Sequence, residues 1–331
     1  MIPPSCSITL EEHTAFPSLG DYCLLYEHTW DNFPEARDGL KEHSLKRVAE
    51  MDEGHVSYQV ISHLPGIVSD DIEAYRKANN EMAEAIKKHP DRLGGFAALP
   101  MAYPELAAVE LERAVRELGF VGAMIDNHLQ DMTHYDNERF WIVFEAAERL
   151  DVPIYIHPAP PSAAEMKARF EGNYSSNVAM GLGTALWGWH ENVGLHIIKL
   201  FVAGLFKRYP KLKIIIGHMG EGIPMMIDRL DSVRLTTVNG LGKFSEVWER
   251  NIWVTSSGIF SVRALEMLLK VTQNDHVLYS VDTPFCKSNQ GWKFLQELAE
   301  KGSLSQEDLD MFAYGNAKRL LKLGTSLKRF E

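Results

Sequence analysis

The sequence predicts an α/β protein: a (β/α)8 barrel with long loops over the carboxyl-terminal face and extra helices after the last strand. Three observations predict it. Short β-branched runs alternate with longer segments of helical period, the alternation repeats eight times, and the residues best suited to chemistry stand where the apolar runs end. With 331 residues and 45% hydrophobic content the chain can bury one large core, so residues 1–331 are expected to form a single domain.

The expected strands lie at 7–12, 56–62, 93–99, 121–126, 152–157, 212–217, 252–256 and 277–281. Between them the apolar spacing predicts helices over Asp70–Lys88, Pro104–Leu118, Glu138–Leu150, Glu191–Tyr209, Pro224–Arg234 and Val262–Val271. Several end before Gly or Pro, as at Leu118-Gly119 and Tyr209-Pro210. Further helical segments near Gln290–Lys301 and Ser305–Leu323 are expected to cap the barrel. Two connections exceed what a simple barrel needs: Thr14 to His55 after strand 1, and Pro158 to His190, with Trp187-Gly188-Trp189, after strand 5. Both leave carboxyl ends of strands and are expected to fold over the mouth. The two tryptophans can serve there in packing or at a subunit interface.

A formal net charge of -11 argues against a nucleic-acid footprint and against adhesion to anionic membrane. Cys6, Cys23 and Cys286 form no metal-finger spacing, and a sparse, odd number of thiols suits a reduced compartment. The amino terminus lacks a signal-like charged and apolar pattern, and no apolar run approaches a membrane span, so a soluble, cytoplasmic protein is expected.

Glu11 and His13 stand two residues apart on strand 1 and so share a face, here the barrel interior. His157 closes Ile-Tyr-Ile, and Asp282 follows Leu-Tyr-Ser-Val, where a buried carboxylate is costly unless paired or metal-bound. Barrel topology brings these strand ends to one mouth, where two imidazoles and two carboxylates suit one divalent ion, Zn or Mn more than Mg. In Gly217-His218-Met219-Gly220-Glu221 the glycines permit a tight turn, letting Glu221 reach back to orient His218 as an acid/base pair. Arg229, on the helix opened by Pro224, could turn inward to pair a substrate carboxylate, or form a surface salt bridge with Asp228 or Asp231.

The stretches Leu10 to His13, Asp91 to Pro100, Pro153 to Pro158, Gly217 to Pro224, Asn251 to Gly258, Ser280 to Pro284 and Gly315 to Ala317 together carry a resemblance. The chain resembles the decarboxylase branch of the amidohydrolase superfamily, the group with aminocarboxymuconate-semialdehyde decarboxylase, and within it the γ-resorcylate (2,6-dihydroxybenzoate), 2,3-dihydroxybenzoate and salicylate decarboxylases. The resemblance implies metal ligands Glu11, His13, His157 and Asp282, an acid/base pair of His218 and Glu221, and a substrate lining of Arg229, Asn127 and Phe285. Hydrolases of the superfamily commonly carry His-x-His on strand 1; Glu11-x-His13 points to the decarboxylases, and His13, where some relatives have Ala, to the γ-resorcylate type. It further implies a metal-dependent, reversible loss of carbon dioxide from an ortho-hydroxybenzoic acid, with Asp282 protonating the ring carbon. No organic cofactor is expected, and the assembly expected is a homotetramer or homodimer. Metal-dependent hydrolysis of a lactone or amide is the alternative reading.

Overall fold

The structure is a computed structural model that describes residues 1–20, 34–66, 69–232, 240–324 and 326–330. Its eight strands are all parallel and follow one another in chain order, as β1 (Ile8–Thr14), β2 (Tyr58–His63), β3 (Leu93–Ala97), β4 (Gly122–Asp126), β5 (Ile154–His157), β6 (Ile214–Ile216), β7 (Ile252–Thr255) and β8 (Val277–Leu278). This is the (β/α)8 barrel the alternation predicts.

Inside, Ile8, Leu10, Tyr58, Val60, Phe96, Met124, Tyr155, Ile215 and Leu278 form a closed apolar floor, sealed from below by Ala317, Leu320, Leu321 and Leu323. Only the last segment, Ala317 to Leu323, therefore closes the end of the barrel away from the mouth; the helix over Ser288–Lys301, also expected to cap, packs Phe294, Leu295, Leu298 and Ala299 into the outer layer instead. A larger cluster fills the layer between the strands' outer faces and the helices.

The seam between β8 and β1 is closed by side-chain chemistry as much as by a ladder. Beyond the two-residue β8, Thr283 bridges to Glu12, and the His13 N–H donates to the Thr283 carbonyl at 2.6 Å. The Glu12 carboxylate accepts from Val281 N (3.1 Å), Thr283 N (3.0 Å), Thr283 Oγ1 (2.5 Å) and Ser280 Oγ (3.1 Å). A bulge lies between Thr9 and Glu12, where the N–H groups of Leu10 and Glu11 both donate to Ser280 Oγ, at 2.9 and 2.8 Å. The bulge resets the alternation of β1. Leu10 still packs in the floor, yet Glu11 also points into the barrel.

The main helices run Ile72–Lys87, Pro104–Glu117, Trp141–Leu150, Gly188–Ala203, Ile227–Ser232, Phe244–Asn251, Val262–Leu268 and Ser288–Lys301. Asp71 caps the first of these by accepting from Glu73 N at 3.0 Å. The segment expected as one helix over Glu191–Tyr209 is broken at Gly204, whose φ of 94° ends one helix and starts the short Leu205–Arg208. The helix expected from Pro224 starts only at Ile227, because residues 218–222 run left-handed and Ile223–Met225 forms a 3-10 turn. In the long connections lie helices the apolar spacing did not announce, Pro34–Gly39, Leu45–Glu53 and Ser176–Gly183. Cys23 and the His28-Thr29-Trp30 stretch fall outside the described residues; Cys6 and Cys286 are free thiols. No helix among the described residues is long and apolar enough to cross a membrane.

Candidate metal centre

Glu11 stands at the middle of β1 and His13 near its end, His157 closes β5, and Asp282 follows β8 by four residues; the barrel brings them together. Donor atoms of Glu11, His13, His157 and Asp282 all lie within 4.8 Å of one another. Glu11 Oε1 is 2.9 Å from His157 Nε2, and His13 Nε2 is 3.2 Å from Asp282 Oδ1. The His157 Nδ1–H donates to the Pro158 carbonyl at 2.7 Å, which leaves Nε2 with its lone pair turned into the cluster. Glu11 Oε1 and His13 Nε2 are buried without a hydrogen-bond partner, since His157 Nε2, 2.9 Å from Glu11 Oε1, turns a lone pair toward it. Such orphaned polar atoms are rare in a folded interior, and a divalent cation shared by these donors would satisfy both. The residues therefore fit a metal.

The groups behind the donors are specific. Tyr155, two residues before His157 on the same face of β5, donates its hydroxyl to Glu11 Oε2 and contacts Thr255 Oγ1 at 2.9 Å. A side chain at Gly217 would place its Cβ 2.7 Å from Glu11 Oε2, so only glycine lets β6 end this close to the carboxylate. The buried Arg47 guanidinium donates to the His13 carbonyl at 2.7 Å and to Gln59 at 2.8 Å. Replacing Tyr155 with Phe is expected to weaken metal binding by about 10–100-fold, read by manganese titration, because Glu11 loses the group that orients it. An unchanged affinity would show that Glu11 is held by the remaining contacts alone.

Electrostatics separate the acids. Burial pushes Glu11 upward, but the fields of His218, His157 and His13 outweigh it and hold the carboxyl well below its ordinary range. Asp282 goes the other way: burial and then the charge of Glu11 raise it well above a normal aspartate, against the pull of His218. The two neighbouring carboxyls are thus pushed in opposite directions. Asp282 also has φ of 77°, a conformation uncommon for residues other than glycine.

His218 and Glu221 follow β6 as expected. His218 Nδ1 is 2.8 Å from Glu221 Oε1, while its Nε2 faces Glu11 Oε1 at 3.5 Å and Asp282 Oδ2 at 4.0 Å. Burial opposes the imidazolium, yet Glu221 and Glu11 raise His218 to about 10, and its field with that of His190 lowers Glu221 to about 2 despite burial.

Of the expected substrate lining, Phe285 stands beside the centre, its ring 5.9 Å from that of His13 in an edge arrangement. Asn127 is buried and its orientation is set from a distance. Tyr135 N–H donates to His196 Nε2 (3.1 Å), so His196 Nδ1 carries the proton it gives to Asn127 Oδ1 (2.9 Å), and the Asn127 amide nitrogen donates to Asn192 Oδ1. Arg229 is not turned inward. Ile227 is the buried position of its short helix, and two residues further, at about 100° each, Arg229 falls on the opposite, exposed face. Nor does it pair with Asp231, which accepts from Ser245 N and Oγ instead; among the described residues Arg229 forms no ion pair.

Sequence reasoning missed several contributors. Trp189 lies 6.4 Å from His157, ring to ring, with a buried, unpartnered indole N–H, whereas Trp187 is exposed. His190, next in the chain, contacts Glu221. The period-2 rule that paired Glu11 with His13 also pairs Tyr155 with His157 and could have found it; nothing local marked His190, whose partner lies across a long connection. A cavity of about 230 Å³ opens between the ends of β2, β3 and β4, lined in part by His63, Leu99, Met124, Asp126 and His128. It excludes the four donors, so chemistry rather than volume locates the centre.

A parallel eightfold barrel with a mixed carboxylate and imidazole cluster at its mouth defines a class of mononuclear metal enzymes. The chain belongs to the Amidohydrolase family, whose model matches residues 27–323. It is 42% identical over 333 residues to Decarboxylase orsB of Emericella nidulans, covering 98% of each chain. It is 35% identical over 337 residues to the gamma-resorcylate decarboxylase of Polaromonas sp., covering 96% of this chain and 98% of the relative. Among solved structures, a dihydroxybenzoic acid decarboxylase from Polaromonas sp. JS666, with bound manganese and the inhibitor 2-nitroresorcinol, superposes with a TM-score of 0.82 at 32% identity, over 97% of this chain and 98% of that one. The chain is an enzyme, and these relatives are named decarboxylases, which are carboxy-lyases.

Proposed function

We propose that the protein is a non-oxidative, reversible, metal-dependent decarboxylase of ortho-hydroxybenzoic acids of the 2,6-dihydroxybenzoate or 2,3-dihydroxybenzoate type. The observation that carries this reading is the cluster of Glu11, His13, His157 and Asp282 at the barrel mouth, in which burial and Glu11 push Asp282 upward. Manganese or zinc is the proposed ion, manganese being the one bound in a solved relative, and no organic cofactor is proposed. When bound, such an ion would be held by Glu11, His13, His157 and Asp282 and would act as a Lewis acid toward the hydroxy acid.

The remaining steps belong to the protein. Asp282 delivers its proton to the ring carbon that bears the carboxylate, forming the new C–H bond. The C–C bond then breaks, its electron pair restores the aromatic ring, and carbon dioxide leaves; solvent returns the proton to Asp282. His218, held by Glu221, manages the phenolic proton. Phe285 packs against the ring and Asn127 offers its oriented amide. Arg229, exposed on the connection leaving β6, is proposed as a first contact of the substrate carboxylate at the rim. In reverse, bicarbonate or carbon dioxide is the co-substrate. We further propose a homotetramer or homodimer, since Leu186 and Trp187 are exposed on the connection after β5, and a cytoplasmic location suited to the free thiols.

Hydrolysis of a lactone or amide is less well supported, because the similar proteins are named decarboxylases and β1 supplies a glutamate. The test is ultraviolet turnover of 2,6-dihydroxy-, 2,3-dihydroxy- and 2-hydroxybenzoate by protein stripped of metal and reloaded with Mn or Zn. Turnover of an ortho-hydroxy acid that appears only on reloading supports the reading. Silence across the panel with metal bound contradicts it.

A further inference from the structure

We infer that His190 is a positioning residue for the His218–Glu221 pair, holding the second oxygen of Glu221 so that His218 stays aimed at the metal centre. This rests on the proposed role of that pair. The Glu221 side chain is fully buried, and each of its oxygens meets one imidazole: Oε1 meets His218 Nδ1 at 2.8 Å, and Oε2 meets His190 Nδ1 at 2.6 Å. An ionised carboxylate only accepts, so both Nδ1 atoms carry protons toward it. His190 Nε2 lies 3.0 Å from the Ala185 carbonyl, which also only accepts and ties the ring to its own loop. The rings of His190 and His218 pack edge to face at 4.7 Å.

The turn that carries the pair cannot hold it unaided. His218, Met219, Gly220, Glu221 and Gly222 all have positive φ, between 50° and 93°, and for the side-chain-bearing residues this costs free energy that surrounding contacts must offset. The helix Gly188–Ala203 supplies such contacts on one face. His190 grips the Glu221 carboxylate, and four residues later a Cβ at Gly194 would lie 2.9 Å from the Glu221 carbonyl oxygen, so glycine is what lets this helix seat against the turn. His190, His218 and Glu221 also have donor atoms close enough for an ion of their own. Both Glu221 oxygens are already engaged by N–H groups, so the trio reads as a hydrogen-bonded clamp.

Without His190, Glu221 Oε2 would be a buried carboxylate oxygen with no donor, and the carboxylate would turn to find one, carrying its grip on His218 with it. The test compares Mn-loaded wild type, His190→Ala and His190→Asn on the best hydroxybenzoate. Asn places an amide N–H near the position of the His Nδ1–H. His190→Ala is expected to lower kcat by about 10–100-fold, typical of lost outer-sphere orientation, with KM and manganese content nearly unchanged, and His190→Asn to recover most of the loss. Ala at wild-type kcat, or Asn no better than Ala, would overturn the inference. A crystal structure of the Ala variant decides the point independently of turnover. Glu221 rotated away from His218 supports the clamp, and an unmoved Glu221 contradicts it even if the protein proves to act on no hydroxybenzoate.

Discussion

Replacing Asp282 with Asn is expected to lower kcat about 10³-fold while leaving the barrel folded, within the range that loss of a positioned general acid produces. The substitution is nearly isosteric, and Asn is among the residues that best tolerate the left-handed conformation this position requires, with φ of 77°. An amide oxygen can still face His13 Nε2, now 3.2 Å from Oδ1. What disappears is the carboxyl group itself, whose proton affinity burial and Glu11 raise above the usual aspartate range. The measurement is kcat for the Mn-loaded variant at saturating substrate, beside its metal content and thermal midpoint. Activity within tenfold of wild type would remove Asp282 as the proton donor.

Replacing Glu12 with Ala is expected to cost about 4 kcal/mol of stability, within the range for removing one partner of a buried charged network. At the usual unfolding entropy per residue this corresponds to a fall of about 6 °C in Tm. Glu12 is fully buried at the seam where β8 has already ended, and its carboxylate takes the N–H groups of Val281 and Thr283. Alanine leaves both donors buried and unpaired. They flank Asp282, so a loss of turnover should accompany the loss of stability, unlike the outcome at Asp282 itself. Calorimetric unfolding checks the magnitude, and a cost below 1 kcal/mol would mean that the Glu12–Thr283 bridge and the His13–Thr283 hydrogen bond suffice to close the barrel.

How much of this was legible in the chain follows from the range of each signal. Strand ends are local: Ile-Tyr-Ile-His157 and Ile-Ile-Ile-Gly-His218 announce both a strand and the residue that leaves it, and the structure brings the four residues singled out as ligands together. The barrel follows from alternation and needs no long-range information. The bulge on β1 was hidden, because it arises from Ser280 taking two successive N–H groups across the seam. The orientation of Arg229, open between two readings in the sequence, follows from the left-handed run from His218 to Gly222, which delays the helix and sets its phase, and a run with side-chain-bearing residues at positive φ is not written in local propensity. Nothing local marked Glu12, whose partners at 280–283 lie some 270 residues away. His190 was invisible for the same reason: its meaning lies in Glu221, across helix Gly188–Ala203 and strand β6.

The most direct test of decarboxylation at this metal centre is turnover of 2,6-dihydroxybenzoate by the Mn-loaded protein in D₂O, followed by proton NMR with carbon dioxide measured in parallel. The expected result is resorcinol carrying one deuterium at the vacated ring carbon, one carbon dioxide per turnover, and neither product from metal-stripped protein. Product with no deuterium at that carbon, or equal turnover without metal, would contradict ring protonation at a metal-dependent site.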